Sequence, residues 1–228
     1  MNSYDVIVCG GGHAGIEASL ISLKLGCKTA LVTMNKRAIG RMSCNPAIGG
    51  LSKGQIVKEM DILGGMMGVA TDFSAIQFKI LNQSKGKSVL SPRAQVDKRV
   101  YESFVLNKVV ASNLDIVEGE VVDIVHKGEN IEGIILRNGS KIEAKSVVLT
   151  CGTFLNGLIH IGQRKIRAGR MGESAADGIT ESLAKIGFKS GRLKTGTPPR
   201  INKNSIDWSG AREVYGDKSA IPFSYRTK

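Results

Sequence analysis

The periodicity of apolar positions changes twice within the first forty residues. Residues 4–9 (YDVIVC) form a short, nearly unbroken apolar run, as in a strand buried within a parallel sheet. From 13 to 25 the period becomes helical and places Ala14, Ala18, Ile21 and Leu25 on one face. Residues 28–33 (KTALVT) read as a second strand. Between the first strand and the helix, Gly10, Gly12 and Gly15 stand at G-x-G-x-x-G spacing. Strand, glycine turn, helix, strand is the context that a dinucleotide-binding βαβ unit requires.

Residues 35–52 lose this periodicity and are rich in small residues, including SCNPAIGG at 43–50. A long loop is predicted there, and long loops inside compact domains usually serve function. A helix is predicted over 53–63, with Ile56, Val57, Met60 and Leu63 inward, ended by Gly64 and Gly65. Residues 66–93 are mixed, and a helix over about 94–111 turns Val96, Val100, Phe104 and Val105 to the core. From 114 to 150 the pattern is all strand. VVDIV (121–125), EGIILR (132–137) and SKIEA (140–144) predict an antiparallel meander with turns at KGEN and NG, and VVLT (147–150) returns as a separate buried strand. A last helix is predicted over 173–186, followed by a basic, turn-rich segment, GRLKTGTPPR, at 191–200. The fold class is α/β: a Rossmann-like FAD/NAD(P)-binding three-layer fold, with a parallel sheet and an antiparallel β-meander crossover. Residues 1–200 read as the N-terminal part of an FAD-binding domain that lacks its last strand. Residues 201–228 are weakly patterned and end without a glycine-rich return to a cofactor.

Composition agrees with that class. Hydrophobic residues at 42% allow a substantial core, and only 5% aromatics make it aliphatic, which suits a sheet covered by helices. The 28 glycines cluster without a Gly-X-Y period, so collagen is excluded. A net charge of +12 implies an anionic partner, for which nucleic acid is the commonest large candidate. Four cysteines show neither CxxC nor metal-ligand spacing, which predicts no metal site, no disulfide framework and a reducing, cytoplasmic compartment. No signal peptide is visible, and no segment reaches the roughly 18 apolar residues needed to span a membrane.

The glycine fingerprint assigns roles to its members. Gly10 permits the tight turn, Gly12 lets the backbone approach a pyrophosphate, and Gly15 lets the helix pack on the sheet. Gly11, His13 and Ala14 complete the turn, and the helix N-terminus offers free N–H groups to phosphate oxygens. His13 either donates to a phosphate or is an exposed first-turn residue. An acidic residue about twenty positions on would hold the adenosine ribose. No Asp or Glu occurs from Ala18 to Ser43, so Thr33, Asn35 or a backbone group is left for that task. Lys36 and Arg37 would also tolerate a 2′-phosphate, so the fingerprint alone leaves NADP open. The meander favours FAD, with Thr150 and Gly152 at the end of the returning strand beside the cofactor.

Cys44 lies in the glycine-rich loop just past the second strand, at the carboxyl edge of the sheet where ligands bind. Arg41, Lys53 and the following helix N-terminus would favour its thiolate, if the fold brings them close. The alternative is a loop cysteine that packs. Cys9, Cys27 and Cys151 read as packing residues.

GGGHAG at 10–15, IGRMSCNPAIGGLSKG at 39–54, KEMDILGG at 58–65, SPRAQVDK at 91–98 and GRLKTGTPPR at 191–200 together resemble the MnmG (GidA) family over essentially all of the chain. The resemblance implies an FAD-dependent enzyme that, with the GTPase MnmE, helps add a carboxymethylaminomethyl or aminomethyl group at C5 of the wobble uridine of certain tRNAs. It implies NADH as reductant, methylenetetrahydrofolate as one-carbon donor, and a homodimer in the full-length protein. Gly10–Gly15 would hold the FAD pyrophosphate, and Val121 and Val122 match the family's adenine contact. Cys44 matches one of two catalytic cysteines, either adding to the base or carrying the methylene group. The second cysteine has no counterpart here, so the resemblance implies an N-terminal portion, with residues 201–228 the start of an inserted nicotinamide-binding domain or a truncated segment. Candidate tRNA phosphate contacts are Arg93, Lys98, Arg192, Lys194 and Arg200. The competing class is a general FAD- or NAD(P)-dependent oxidoreductase acting on small molecules.

Overall fold

The structure is a computed structural model that describes residues 3–43, 45–194, 196 and 201–228. The chain opens with strand β1 (Ser3–Cys9), helix α1 (His13–Lys24) and strand β2 (Thr29–Thr33), the unit that the glycine spacing predicts. The expected long loop holds a short strand, β3 (Ala47–Gly49), before helix α2 (Lys53–Ile62). The mixed region resolves into α3 (Met67–Ser74), β4 (Ala75–Leu81) and β5 (Ser91–Val96), and α4 (Lys98–Val110) follows. Strands β6 (Asp115–Glu118), β7 (Val121–Lys127), β8 (Asn130–Leu136) and β9 (Lys141–Leu149) come next. A hairpin of β10 (Leu158–Ile161) and β11 (Arg164–Arg167) precedes the short helix α5 (Ile179–Lys185).

The chain forms two compact units that interleave along the sequence. The first comprises residues 1–41, 64–66 and 102–190. Its sheet has the order β6-β2-β1-β9-β8-β7, parallel from β6 to β9 and antiparallel from β9 to β7. The α/β fold with a mainly parallel sheet and a meander is therefore as expected. One apolar cluster joins Ile7 and Cys9 of β1, Ala30 and Val32 of β2, Ile134 of β8 and Ile179 of α5. Val8 and Leu31, one residue out of phase, are also fully buried, so both faces of the central strands are covered.

The second unit comprises residues 42–63, 67–101 and 191–228. Its antiparallel sheet, β3-β5-β4, packs against α2 and α3. Two carboxylates in this unit hold a late segment of the chain. Asp61 accepts from the Tyr225 N–H (2.9 Å) and from Arg226 Nη2 (2.6 Å). Asp72 accepts from the N–H groups of Phe223 (2.7 Å) and Ser224 (2.8 Å) and from the Thr227 hydroxyl (2.6 Å). Phe223 is completely buried between these ties.

The inward faces of three helices differ from the sequence expectation. In α1 the buried residues are Gly15, Ile16 and Ser19, whereas Ala14 and Ile21 are exposed and Leu25 is 75% exposed. Close approach orients this helix: a Cβ on Gly15 would lie 1.8 Å from the Gly10 carbonyl, so the Gly15 side must face the turn. In α2, Gly54, Val57 and Asp61 are inward, and Ile56 and Leu63 are exposed. Here a Cβ on Gly54 would meet the Pro92 carbonyl at 2.4 Å, and Asp61 turns inward to its N–H and guanidinium partners. Helix α4 starts later than expected. Asp97 Oδ1 accepts from the N–H groups of Arg99 and Val100, an N-cap that leaves Val96 in β5. Its buried residues are Tyr101, Val105 and Val109, with Val100 exposed.

The expected third meander strand and the returning strand are one element, β9. Residues 141–143 pair with β8, and residues 143–149 pair with β1. No turn residue separates Ala144 from Val147, so the chain runs straight from one role to the other. Helix α5 is shorter than expected. It begins after Gly178, whose N–H is accepted by Glu181 Oε2 at 3.1 Å.

Candidate dinucleotide-binding site

The site grows from the carboxyl ends of β1, β2 and β9. Gly10 leaves β1 with φ +118, and a Cβ there would strike the Thr150 carbonyl at 2.5 Å. The Thr150 hydroxyl donates to the carbonyls of Cys9 (2.9 Å) and Gly10 (3.2 Å), tying the end of β9 to the turn. Gly15 admits no side chain, as noted. Gly12 is different: its backbone is extended, with φ −78 and ψ −176, and a Cβ there would meet nothing within 4 Å. Gly12 also caps α1 without a side-chain acceptor, and no acidic residue occupies the first turn. The first-turn N–H groups of a helix lack intrahelical partners and carry partial positive charge. The arrangement is thus a turn closed on two sides by Gly10 and Gly15 and open in front of Gly12. That is the cradle a pyrophosphate requires, so the residues present fit a dinucleotide.

Gly11 sits under β2, where a Cβ would meet Thr33 Oγ1 at 2.9 Å, and its carbonyl accepts from the Gly40 N–H at 3.0 Å. His13 is half-buried; burial pushes its pKa down against an opposing pull from Glu102, so it tends to the neutral form. Ala14 is exposed on the first turn.

At the far end of the cradle the fold gathers Thr33, Asn35 and the start of β7. Asn35 Oδ1 accepts from the Arg37 N–H at 2.8 Å and caps a single helical turn over Lys36–Ala38. The Thr33 carbonyl accepts from the Gly119 N–H at 2.9 Å, which brings the crossing from β6 to β7, and so Val121, past the end of β2. Val121 is buried, and Gly178 is pressed against Val122. Gly152, with φ +60, has open space where a side chain would project.

One residue here was missed from the sequence. Glu118, the last residue of β6, lies opposite Thr33 in the parallel ladder, and its Oε2 accepts from the Lys36 N–H at 2.9 Å. A carboxylate therefore does stand beside the end of β2, supplied by the neighbouring strand instead of by β2 itself. The signal was the DIVE run at 115–118; only strand order reveals its neighbour.

Cys44 and Arg200 lie outside the described residues. The two cations expected to activate Cys44 can be located. Arg41 Nη1 contacts Glu173 Oε1 at 2.6 Å, and Arg170 Nη2 contacts the same carboxylate at 2.5 Å. Arg41 and Arg170 thus share one carboxylate, a partner that no reading of the loop in isolation would include. Lys53 is exposed at the start of α2. Burial and the neighbouring Cys151 push the Cys9 thiol up to about 12, and burial raises that of Cys151, so neither is a ready nucleophile. Of the tRNA candidates, Lys98, Arg192 and Lys194 are exposed, Arg93 is half-buried in β5, and all four belong to the second unit.

Residues 5–228 match the family model described as glucose inhibited division protein A. The chain belongs to the GidA family. It is 51% identical over 228 residues to the tRNA uridine 5-carboxymethylaminomethyl modification enzyme MnmG of Sulfurihydrogenibium, covering 99% of this chain and 37% of that protein. It is 52% identical over 226 residues to the enzyme of the same name from Flavobacterium johnsoniae, covering 99% of this chain and 36% of that one. This chain therefore spans a little over a third of the length of these curated GidA relatives. GidA from Aquifex aeolicus superposes with a TM-score of 0.94 at 46% identity, over 100% of this chain and 38% of that one. A GidA-related protein of Thermus thermophilus, at 16% identity and a TM-score of 0.55, covers 82% of this chain and 70% of its own, and shares the fold alone.

Proposed function

We propose that this chain is the dinucleotide-binding portion of an FAD-dependent enzyme that modifies the wobble uridine of tRNA, installing a carboxymethylaminomethyl or aminomethyl group at C5. The observation that carries the reading is the open face of Gly12 between two glycines that tolerate no side chain. Half-identity to proteins named for that modification supports the substrate. When bound, the flavin supplies reversible hydride and electron transfer. The chain's own residues bind and orient it. Main-chain N–H groups of Gly12–Gly15 face the pyrophosphate, Thr33, Asn35, Val121 and Val122 border the adenosine, and Thr150 and Gly152 border the opposite end. Glu118 is added to this set as a carboxylate within reach of the ribose. Cys44 is the reacting thiol, either adding to the base or carrying the methylene group. The reading includes NADH as reductant, methylenetetrahydrofolate as one-carbon donor, MnmE as partner, a homodimeric full-length protein and a cytoplasmic location. No helix among the described residues is long and apolar enough to cross a membrane.

The test is substitution in the full-length protein. Gly12→Val should yield a folded protein without flavin absorbance; a yellow variant with flavin content equal to wild type would overturn the assignment. Cys44→Ser should keep fold and flavin but lose tRNA modification almost completely. Normal modification by that variant would remove Cys44 from the chemistry.

A further inference from the structure

The described basic residues expected to meet tRNA, Arg93, Lys98, Arg192 and Lys194, fall in the second unit, but the first unit carries its own cationic feature. From Ala144 to Gly172 the charged residues are Lys145, Arg164, Lys165, Arg167 and Arg170, with no acidic residue among them. Three of these residues have ion-pair partners within the fold, Arg170 sharing its carboxylate with Arg41. Lys145 pairs with Asp5 at 2.7 Å, Arg167 with Asp177 at 2.7 Å and Arg170 with Glu173 at 2.5 Å. Among the described residues, Arg164 and Lys165 have no ion pair.

These two residues follow the tip of the β10–β11 ribbon. Gly162, with φ +59, and Gln163 form its two-residue loop, a position where a positive φ suits the twist of a hairpin. Opposed residues in an antiparallel pair share a face. His160 faces Lys165 and Leu158 faces Arg167 on one side; Ile161 faces Arg164 and Ile159 faces Ile166 on the other. The ribbon forms a separate two-stranded sheet, every residue of β11 is exposed, and Leu158, Ile161 and Ile166 are each 44% exposed. A two-stranded ribbon is marginally stable alone. Its root is nonetheless fixed: Ala168 N–H donates to the Gly157 carbonyl (3.1 Å), Asn156 N–H to Ala176 (2.8 Å), and Asn156 Nδ2 to Glu181 (2.9 Å). That root follows Thr150, the residue tied to Gly10, so the ribbon leaves the sheet at the same edge as the glycine turn.

We propose that the β10–β11 ribbon binds the sugar-phosphate backbone of the tRNA substrate, with Arg164 and Lys165 as its phosphate contacts. This rests on the tRNA reading above. Phosphates are the chemistry complementary to an exposed ribbon bearing unmatched cations and no carboxylate. Such contacts set register and orientation and do not read bases. Placed at the carboxyl edge, they would steer the RNA toward the cofactor cradle.

The experiment compares wild type with Arg164→Gln/Lys165→Gln in the full-length protein, titrating an unmodified tRNA transcript at several salt concentrations. Removing two phosphate contacts should lower affinity several-fold and make the slope of log K against log[salt] shallower by about 1–2. Flavin content and thermal midpoint should be unchanged, and the charge-keeping Arg164→Lys/Lys165→Arg should restore the wild-type slope. Wild-type affinity and slope in the glutamine variant would overturn the proposal while leaving tRNA as substrate. The same result with an altered oligomeric state would assign the ribbon to a protein contact and overturn it equally. Failure of the wild type itself to bind tRNA would remove both this proposal and the reading on which it rests.

Discussion

The glycine turn at 10–15 and the carboxylate clamp on residues 223–227 are both built from main-chain N–H groups, and they use them in opposite ways. In the clamp, Asp61 and Asp72 take up the N–H groups of Phe223, Ser224 and Tyr225, and Phe223 is sealed between them. At the glycine turn, α1 starts without a side-chain cap, and space lies open in front of Gly12. Where acceptors from the chain satisfy the donors, the result is scaffold. Where no side chain caps the helix and no Cβ fills the gap, the arrangement is the one on which the proposed cofactor reading rests. The comparison also separates two kinds of carboxylate. Asp61 has a side chain only 1% exposed, yet it is consumed by structural partners and is no candidate for acid–base chemistry. Glu118 is exposed beside the end of β2, where one of its carboxylate oxygens accepts from the Lys36 N–H, and it is the carboxylate that the proposed function places near the ribose.

The largest effect is expected at the clamp. Asp61→Ala strands the Tyr225 N–H and leaves Arg226 without its carboxylate, and removing one partner of a buried pair typically costs 3–5 kcal/mol. Because the Arg226 side chain is 46% exposed, we expect a loss near the bottom of that range, about 3 kcal/mol, measured by urea unfolding. The clamp also has a pH signature. Burial opposes ionisation of Asp61, but hydrogen bonds from Arg226, Ser224 and the Tyr225 N–H outweigh it and hold the carboxyl below its ordinary value. Its stabilisation is therefore full above about pH 4 and is lost as pH falls through the lower folded value. Asp61→Asn should flatten that part of the acid-unfolding curve.

A smaller loss is expected at Gly15. Its Cβ would sit 1.8 Å from a backbone carbonyl that cannot rotate away, so Gly15→Ala must displace α1 from the turn. Overpacking of this kind costs about 1–3 kcal/mol, and flavin should be lost together with stability. Gly12→Ala sharpens the contrast, because it enters open space on extended backbone. Its stability should stay within about 0.5 kcal/mol of wild type while flavin affinity falls. Equal destabilisation by the Gly12 and Gly15 variants, read from thermal midpoints without added flavin, would show that the space before Gly12 is not a ligand cradle.

The smallest effect is expected at His13. Burial lowers its pKa, so the stabilisation it permits is full above about pH 6.5 and declines as pH falls through the depressed folded value. His13→Gln should remove this mild slope from a stability profile between pH 5 and 7. A slope unchanged by the substitution would place the titration elsewhere.

The elements easiest to read from sequence were those whose constraint is local. The strand–glycine–helix order at 4–33 needs only a change of period and glycines at set spacing, and β1, α1 and β2 lie within a residue or so of the expected bounds. The helix faces were harder. Periodicity turned Leu25 and Leu63 inward, yet both lie on the surface, because Gly15 and Gly54 set how each helix is rolled against its neighbour. A glycine contributes nothing to an apolar count, although it decides where two backbones can touch. The division of 140–150 into two strands likewise followed pattern, whereas β9 shows that one strand can serve two neighbours in succession.

The sequence by itself determined the strand–glycine–helix–strand unit, the α/β class and the family, because each rests on residues close together in the chain or on strings long enough to be specific. Only the tertiary structure decided which charges answer one another. Arg41 meets Glu173 across 132 residues, Glu118 reaches Lys36 across 82, and Asp61 holds Arg226 across 165. Ion pairs and hydrogen bonds at such separations leave no periodic mark in the sequence. They arise because strand order and helix roll bring distant segments to one place, and that placement separates a matched charge such as Arg167 from an unmatched one such as Arg164.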